Sequence, residues 1–136
     1  MLGSLQISAT GLEARRIWMN TIAENIANAE TTRDETGAPN PYRRREPIFS
    51  VRQVGNAIGV EVTDVVEDPS PFRYVLDPGH ADAIQEGEHK GYVAYPNVNV
   101  VQEMVDMLMA ARSYEANVTA MDATKSMFSA ALRIIS

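Results

Sequence analysis

The sequence predicts an α+β chain, with a long helix at each end and a small β-rich module between them. Three observations predict it. A strict seven-residue apolar repeat fills the last third of the chain. A shorter repeat of the same kind occupies the first thirty residues, and the Pro- and Gly-punctuated middle has apolar residues that partly alternate. The chain of 136 residues divides accordingly into segments 1–30, 31–96 and 97–136, read as one structural unit.

In the first segment Leu5, Ser8, Leu12, Arg15, Met19, Ile22, Ile26 and Ala29 follow each other by alternate steps of three and four. Six of these eight are apolar, so one helical stripe seeks a partner. The helix should end near Asn28, because Thr31, Thr32, Asp34, Gly37 and Pro39 follow closely. Asn25 and Asn28 bracket that end, and Asn tolerates the left-handed backbone angles that often close a helix.

Pro39, Pro41 and Pro47 make the next stretch extended. Residues 48–54 read as a strand, Gly55-Asn56 as a turn, and residues 60–65 as the strand that completes a hairpin. Asp68-Pro69-Ser70-Pro71 stops it. Residues 72–76 form a third short strand, closed by Asp77-Pro78-Gly79, and residues 91–95 a fourth. This middle is small for an independent core and is expected to be marginally stable alone.

The last helix starts after Pro96 and Asn97. Asn99 is placed to cap it, with Gln102 at capping-box spacing. Glu103 and Asp106 put negative charge in the first turns and Lys125 and Arg133 put positive charge toward the end, as the helix dipole favours. The stripe runs through Val100, Met104, Met107, Ala111, Tyr114, Val118, Met121, Lys125, Phe128, Leu132 and Ile135, and only Lys125 breaks its apolar character. The average step of 3.5 residues keeps one seam facing another helix. At about 1.5 Å per residue the first seam spans roughly 36 Å and the second roughly 52 Å, so pairing within the chain leaves about 16 Å uncovered. An uncovered apolar seam of that length is an association surface.

Composition narrows the function. The net charge is −6 and the pI about 4.8, which disfavours nucleic acid. There is no cysteine, hence no disulfide and no thiol chemistry. Residues 1–20 hold no continuous apolar stretch and no basic leader, so a cleaved secretory signal is not expected. No run of eighteen apolar residues suggests a membrane span. No nucleophile elbow or phosphate loop is present, and His80 and His89 with Asp77 and Asp82 match no standard metal spacing. No catalytic, cofactor, metal or small-molecule site is therefore expected. Arg43-Arg44-Arg45 reads as a solvated loop or a contact to an acidic neighbouring subunit. The methionines of the last helix, Met104, Met107, Met109, Met121 and Met127, suit a seam that adapts to non-identical neighbours. Arg15 and Lys125 each put a cation into an apolar seam, so each should snorkel or meet a carboxylate on an adjacent helix and fix register.

Several motifs in order resemble the bacterial flagellar basal-body rod proteins, and the resemblance covers nearly the whole chain. Asn25-Ile26-Ala27-Asn28-Ala29 with Thr31-Thr32 looks like the signature that closes the family's first helix. Pro41-Tyr42-Arg43-Arg44 and Ile48-Phe49 resemble the segment after it. Val66-Glu67-Asp68-Pro69-Ser70-Pro71-Phe72, Asp77-Pro78-Gly79-His80 and Gly91-Tyr92-Val93-Ala94-Tyr95-Pro96-Asn97-Val98-Asn99 are similar to stretches of the family's proximal-rod branch. Glu103-Met104-Val105-Asp106-Met107, Arg112-Ser113-Tyr114-Glu115-Ala116-Asn117 and Thr124-Lys125-Ser126-Met127 match its last helix. Val100 and Ala81 stand where the family pattern has Pro.

The resemblance implies a structural subunit of the proximal rod, which starts at the inner-membrane ring and export-gate base and crosses the periplasm. It implies that the terminal helices pair as an antiparallel coiled coil. Neighbouring subunits, both copies and other proximal and distal rod proteins, would repeat that packing helically, transmit torque and line the export channel. It further implies export through the flagellar type III channel without a cleaved signal. A soluble coiled-coil adaptor or export chaperone is the alternative, and it would keep its termini folded when alone.

Overall fold

The computed structural model describes residues 2–135. Met1 and Ser136, which the terminal segments include, lie outside the described residues. The order of elements is α1 (Leu2–Ala27), β1 (Arg45–Val54), β2 (Ala57–Glu67), β3 (Arg73–Leu76), β4 (Tyr92–Tyr95) and α2 (Val100–Ile135). The helices at both ends and the four strands between them are those the residue pattern predicts, and the architecture is α+β.

α1 is closed by Asn28, whose backbone N–H and side-chain Nδ2 both donate to the Glu24 carbonyl, at 3.0 and 2.9 Å. Among the described residues no non-glycine has a positive φ. The expected left-handed asparagine cap is therefore replaced by a doubled bond to one carbonyl.

β1 and β2 form an antiparallel hairpin across Gly55-Asn56, with Val54 opposite Ala57. Gly55 sits at φ 61°, the left-handed value that the first central residue of such a turn requires. A bulge at Ile48/Phe49 shifts the register. The hairpin lies along α1. Phe49 meets Trp18 edge-on at 6.1 Å between centroids. Further along, the Val60 N–H donates to Thr10 Oγ1 at 3.2 Å. A Cβ on Gly59 would lie 2.4 Å from that hydroxyl oxygen, so the close approach of strand to helix depends on glycine.

β3 and β4 make a separate two-stranded antiparallel sheet. Its central residue Val93 is fully buried. The loop from Asp77 to Gly91 is tied to the exit of α1, where Arg33 pairs with Asp82 at 2.6 Å and the Thr32 hydroxyl donates to the same carboxylate at 2.8 Å.

The Asn99 side chain accepts from the N–H groups of Val101 and Gln102 at 3.1 and 3.2 Å and so caps α2. Gln102 does not complete the expected capping box. Its amide donates to Asp106 Oδ1 at 3.1 Å, one turn onward. Two contacts fix how α2 meets α1. Asn25 touches Glu103, and a Cβ on Gly11 would lie 2.9 Å from the Asn117 amide. Fourteen residues up one helix match fourteen down the other, so the helices are antiparallel. Continuing that register puts Leu2 opposite residue 126. α2 is 36 residues long against 26 for α1, and its last nine described residues, about 14 Å, extend beyond the start of α1.

The apolar core is small. Ala14, Ile22, Ala29, Ala83, Val93, Val98 and Ala110 are its buried members among the described residues. Five of the seven lie in the half of the molecule where α1 ends and α2 begins, or in the β3–β4 region beside it.

Candidate assembly surface and the polar junction behind it

The end of α1, the start of β1 and the start of α2 meet at a buried polar junction. Asn25 is only 1% exposed and uses all the hydrogen-bonding capacity of its amide. Nδ2 donates to the Arg45 carbonyl at 2.9 Å and to Glu103 Oε2 at 3.2 Å. Oδ1 accepts from the Arg45 N–H and from the Tyr42 hydroxyl, both at 2.9 Å. The amide behaves as an extra strand residue beside β1. Burial pushes the Tyr42 phenol above its ordinary value, so it remains a donor.

Glu103, also 1% exposed, takes the Arg44 guanidinium on its other oxygen. Arg44 reaches Glu46 and Asp68 as well, the latter at 3.4 Å, with Asp106 3.9 Å away. Burial by itself would lower the guanidinium pKa. The bonds to Glu103 and Glu46 outweigh it and hold the group above its ordinary value. The backbone joins in: Arg44 N–H donates to Asn97 Oδ1 at 2.8 Å, and Asn97 Nδ2 donates to the carbonyls of Asp68 and Ser70, each at 3.1 Å. Arg43 donates to the same two carbonyls and lies over the Phe72 ring at 4.2 Å. Asp68 bonds the hydroxyl and N–H of Ser70, which hold its carboxyl below the usual range. Asp82 is lowered too, by Arg33 first and Thr32 next.

The triple arginine is therefore not a solvated loop. Arg43 and Arg44 are consumed inside the chain, and Arg45 lies over Tyr42 at 5.8 Å. Glu103 does more than complement the helix dipole, since it is the acceptor at which both helices and the hairpin base converge. The sequence reading missed this role. A signal existed: Glu103 stands one heptad before Ala110, on the stripe adjacent to the one traced.

The seam residues fall into two groups. On α1, Ile22 is buried and Leu5, Leu12, Met19 and Ile26 are half-buried. Ala27 is exposed, and Asn28 is half-buried beside it. On α2, the buried positions are Glu103 and Ala110. Val100, Met107, Ala111, Tyr114 and Met121 are half-buried, whereas Met104, Val118, Lys125, Phe128, Leu132 and Ile135 are exposed. Tyr114 lines a shallow hollow with Leu12, Glu13 and Arg16. Arg15 is placed over the rings of Trp18 and Phe49, at 5.1 and 5.6 Å, a cation–π arrangement within the chain.

Opposite the face that holds Glu103 and Ala110, α2 presents Val101, Met104, Val105, Leu108 and Met109, all exposed, at one-face helical spacing. Its extension presents Met127, Phe128, Leu132, Ile134 and Ile135, the last two more than 80% exposed. Large apolar side chains in contiguous rows on a charged chain mark a protein-contact surface. No helix among the described residues is long and apolar enough to cross a membrane. No group of three potential metal ligands occurs among them. His80 accepts from the Asp82 N–H at 3.0 Å, and His89 stacks on Tyr74 at 4.0 Å.

Known proteins resemble the chain over nearly its whole length. Residues 5–33 match the family model described as flagella basal body rod protein. Residues 89–134 match the one described as flagellar basal body rod FlgEFG protein C-terminal. Among curated proteins, the chain is 42% identical to the flagellar basal-body rod protein FlgC of Borreliella burgdorferi, over 99% of this chain and 97% of that one. It is 41% identical to FlgC of Bacillus subtilis, over 96% and 95% of the two chains. It is 40% identical to FlgC of Escherichia coli, over 93% and 92%.

Proposed function

The chain belongs to the FlgC family of flagellar basal-body rod proteins and is a structural subunit of that rod; from this premise we propose that it assembles helically in the proximal rod through its terminal helices. The observation that carries the proposal is the pair of exposed apolar rows on α2, which no described part of the same chain covers. A helix with one face filled from within and another open binds neighbours on the open side. Contacts between unlike patches that do not close into a ring extend into a tube.

In this reading residues 1–30 and 97–136 form an antiparallel coiled coil, and residues 31–96 are the module held between them. Leu5, Leu12, Met19, Ile22 and Ile26, with Val100, Met104, Met107, Ala111, Tyr114, Val118, Met121, Phe128, Leu132 and Ile135, make the seams within and between subunits. Lys125 fixes register against a carboxylate of an adjacent helix, as Arg15 does where it is not held by its aromatic neighbours. The partners are other rod proteins, further copies of this chain, and the inner-membrane ring and export-gate base. The subunit takes its place in the periplasm-spanning rod, lines the export channel and transmits torque. Torque passes through buried side-chain contacts, each worth about 1.5–3 kcal/mol when fully buried.

The test places Leu132→Glu and Val105→Glu in the chromosomal copy. Both positions are exposed, so the isolated chain keeps its circular dichroism spectrum. The expected result is loss of swimming and of isolable rods. Normal rods with both substitutions present would overturn the reading. Recovery of the chain as a stable soluble 1:1 complex with another protein would favour an adaptor.

A further inference from the structure

The two edges of the β3–β4 sheet are covered unequally. On the β4 side, the Tyr92 carbonyl accepts from the Ile84 N–H at 2.9 Å, and the Gly91 N–H donates to the Ile84 carbonyl at 2.8 Å. The loop between the strands thus closes that edge. On the β3 side the Asp77 N–H donates to the Gly91 carbonyl at 3.1 Å, and antiparallel pairing alternates from there. Arg73 and Val75 turn their backbone groups toward β4, whereas Tyr74 and Leu76 turn theirs away. Among the described residues, no other strand pairs with β3 and no loop bonds to the N–H or C=O of Tyr74 or Leu76.

The side chains at this edge are apolar and open. All four residues of β3 are exposed, Leu76 at 62%. Tyr74 and Leu76 share the outer face with Tyr92, and His89 lies flat on the Tyr74 ring. Val75 stands on the other face, opposite the buried Val93. An edge of β-forming side chains with open backbone groups is a template for another strand. Arg73 and Asp77 bracket it with opposite charges, and Pro71 and Pro78 lie just beyond them. Arg73 pairs with Glu30 at 3.0 Å within the chain, but both side chains are largely in water, so that pair exchanges at little cost.

We propose that the β3 edge pairs with the β3 edge of a second copy of this chain, antiparallel, about a two-fold axis at Val75. The segment Arg73-Tyr74-Val75-Leu76-Asp77 is complementary to its own reverse. Tyr74 faces Leu76 of the second copy, and both offer outward backbone groups, so each such pair exchanges its N–H···O bonds. Arg73 faces Asp77 of the second copy at both ends of the pairing, and opposite charges across strands favour it. Other registers fail. Centred on Leu76, the pairing sets Tyr74 against Pro78, which has no N–H. Centred on Tyr74, it sets Arg73 against Val75 and Asp77 against Pro71. A two-fold contact closes on itself, so it joins chains outside any helical array and stands whether or not the chain assembles as proposed above. The edge is short, and the pairing is weak and reversible.

The chain has no cysteine, so disulfide cross-linking can read the register. In the paired edge the Cα atoms of the two Val75 residues lie about 4.5 Å apart, within the span a disulfide accepts. Under mild oxidation of the full chain, Val75→Cys should cross-link to itself about tenfold faster than Tyr74→Cys or Leu76→Cys, whose like residues are offset along the strand. A mixture of Tyr74→Cys and Leu76→Cys should cross-link as the heterodimer faster than either alone. All three positions are exposed, so circular dichroism should be unchanged. Added to Val75→Cys, either Arg73→Asp or Asp77→Arg should slow the reaction, and the two together should restore it by exchanging the charges. The series is run with Leu132→Glu and Val105→Glu present, so that the apolar rows of α2 do not drive the encounter. Equal rates for the three single cysteines, no rescue by the charge exchange, or cross-linking of Val75→Cys only to a different protein would each overturn the proposal.

Discussion

The Asn25 side chain pairs with the backbone of Arg45 on both sides, donating to its carbonyl and accepting from its N–H, each at 2.9 Å. A helix side chain thus takes the place of a neighbouring strand for the first residue of β1. Replacing Asn25 by Ala removes the partner of two backbone groups, of the Tyr42 hydroxyl and of one Glu103 oxygen. The expected loss of stability is about 3 kcal/mol, since each stranded buried group costs roughly 1–3 kcal/mol and some recover water. Asn25→Asp should do no better, because a carboxylate cannot donate to Glu103 or to a carbonyl. Urea unfolding of the isolated chain measures both.

The salt bridge at the junction should respond unequally to its two ends. Arg44→Ala leaves Glu103 buried without its cation and should cost about 3–5 kcal/mol. Glu103→Ala leaves Arg44 with Glu46, Asp68 and Asp106 still around it, so its effect should be clearly smaller. Comparing midpoints for the two single variants tests the asymmetry. A larger loss for Glu103→Ala would contradict it.

Gly59 is needed for space. A methyl group there would lie 2.4 Å from Thr10 Oγ1 and 3.2 Å from Thr10 Cγ2, forcing the hairpin off α1. Gly59→Ala is expected to destabilise by about 1–3 kcal/mol through overpacking. In a Thr10→Ala background the same change should cost markedly less. A double-mutant cycle by thermal melting reads the coupling, and additivity of the two changes would show that the clash is relieved some other way.

Asp68 and Asp82 both hold their carboxyls below the ordinary value of 3.8, the first chiefly through Ser70 and the second chiefly through Arg33. A carboxyl with a depressed folded pKa stabilises the fold above its unfolded pKa and loses that stabilisation as pH falls through the folded value. The melting temperature should therefore be level near neutrality and decline below about pH 4. Asp82→Asn should lower the plateau and flatten the acid limb, which a melting series from pH 6 to pH 2.5 would display.

Neighbouring residues specify the elements. Periodicity of three and four marked both helices, alternation marked the strands, and the residues flanking Gly55 and Asn99 located a turn and a cap, because these signals act between residues close in the chain. The mismatch in seam length likewise foretold a helix extension, since it follows from counting residues. Which face of α2 turns inward depends instead on contacts between distant segments. Met107, Tyr114 and Met121 lie on both the traced stripe and the buried side, so the apolar pattern fits two neighbouring faces. The choice rests on Glu103, a charged residue that apolar counting discards. Its burial depends on Asn25 and Arg44, 78 and 59 residues away in the chain. Arg43-Arg44-Arg45 reads as a solvated loop or a contact to an acidic neighbouring subunit for the same reason: a charge run looks outward-facing until the fold supplies its own carboxylates. Local geometry is written in neighbouring residues, whereas the pairing of buried polar groups is settled only when distant segments meet.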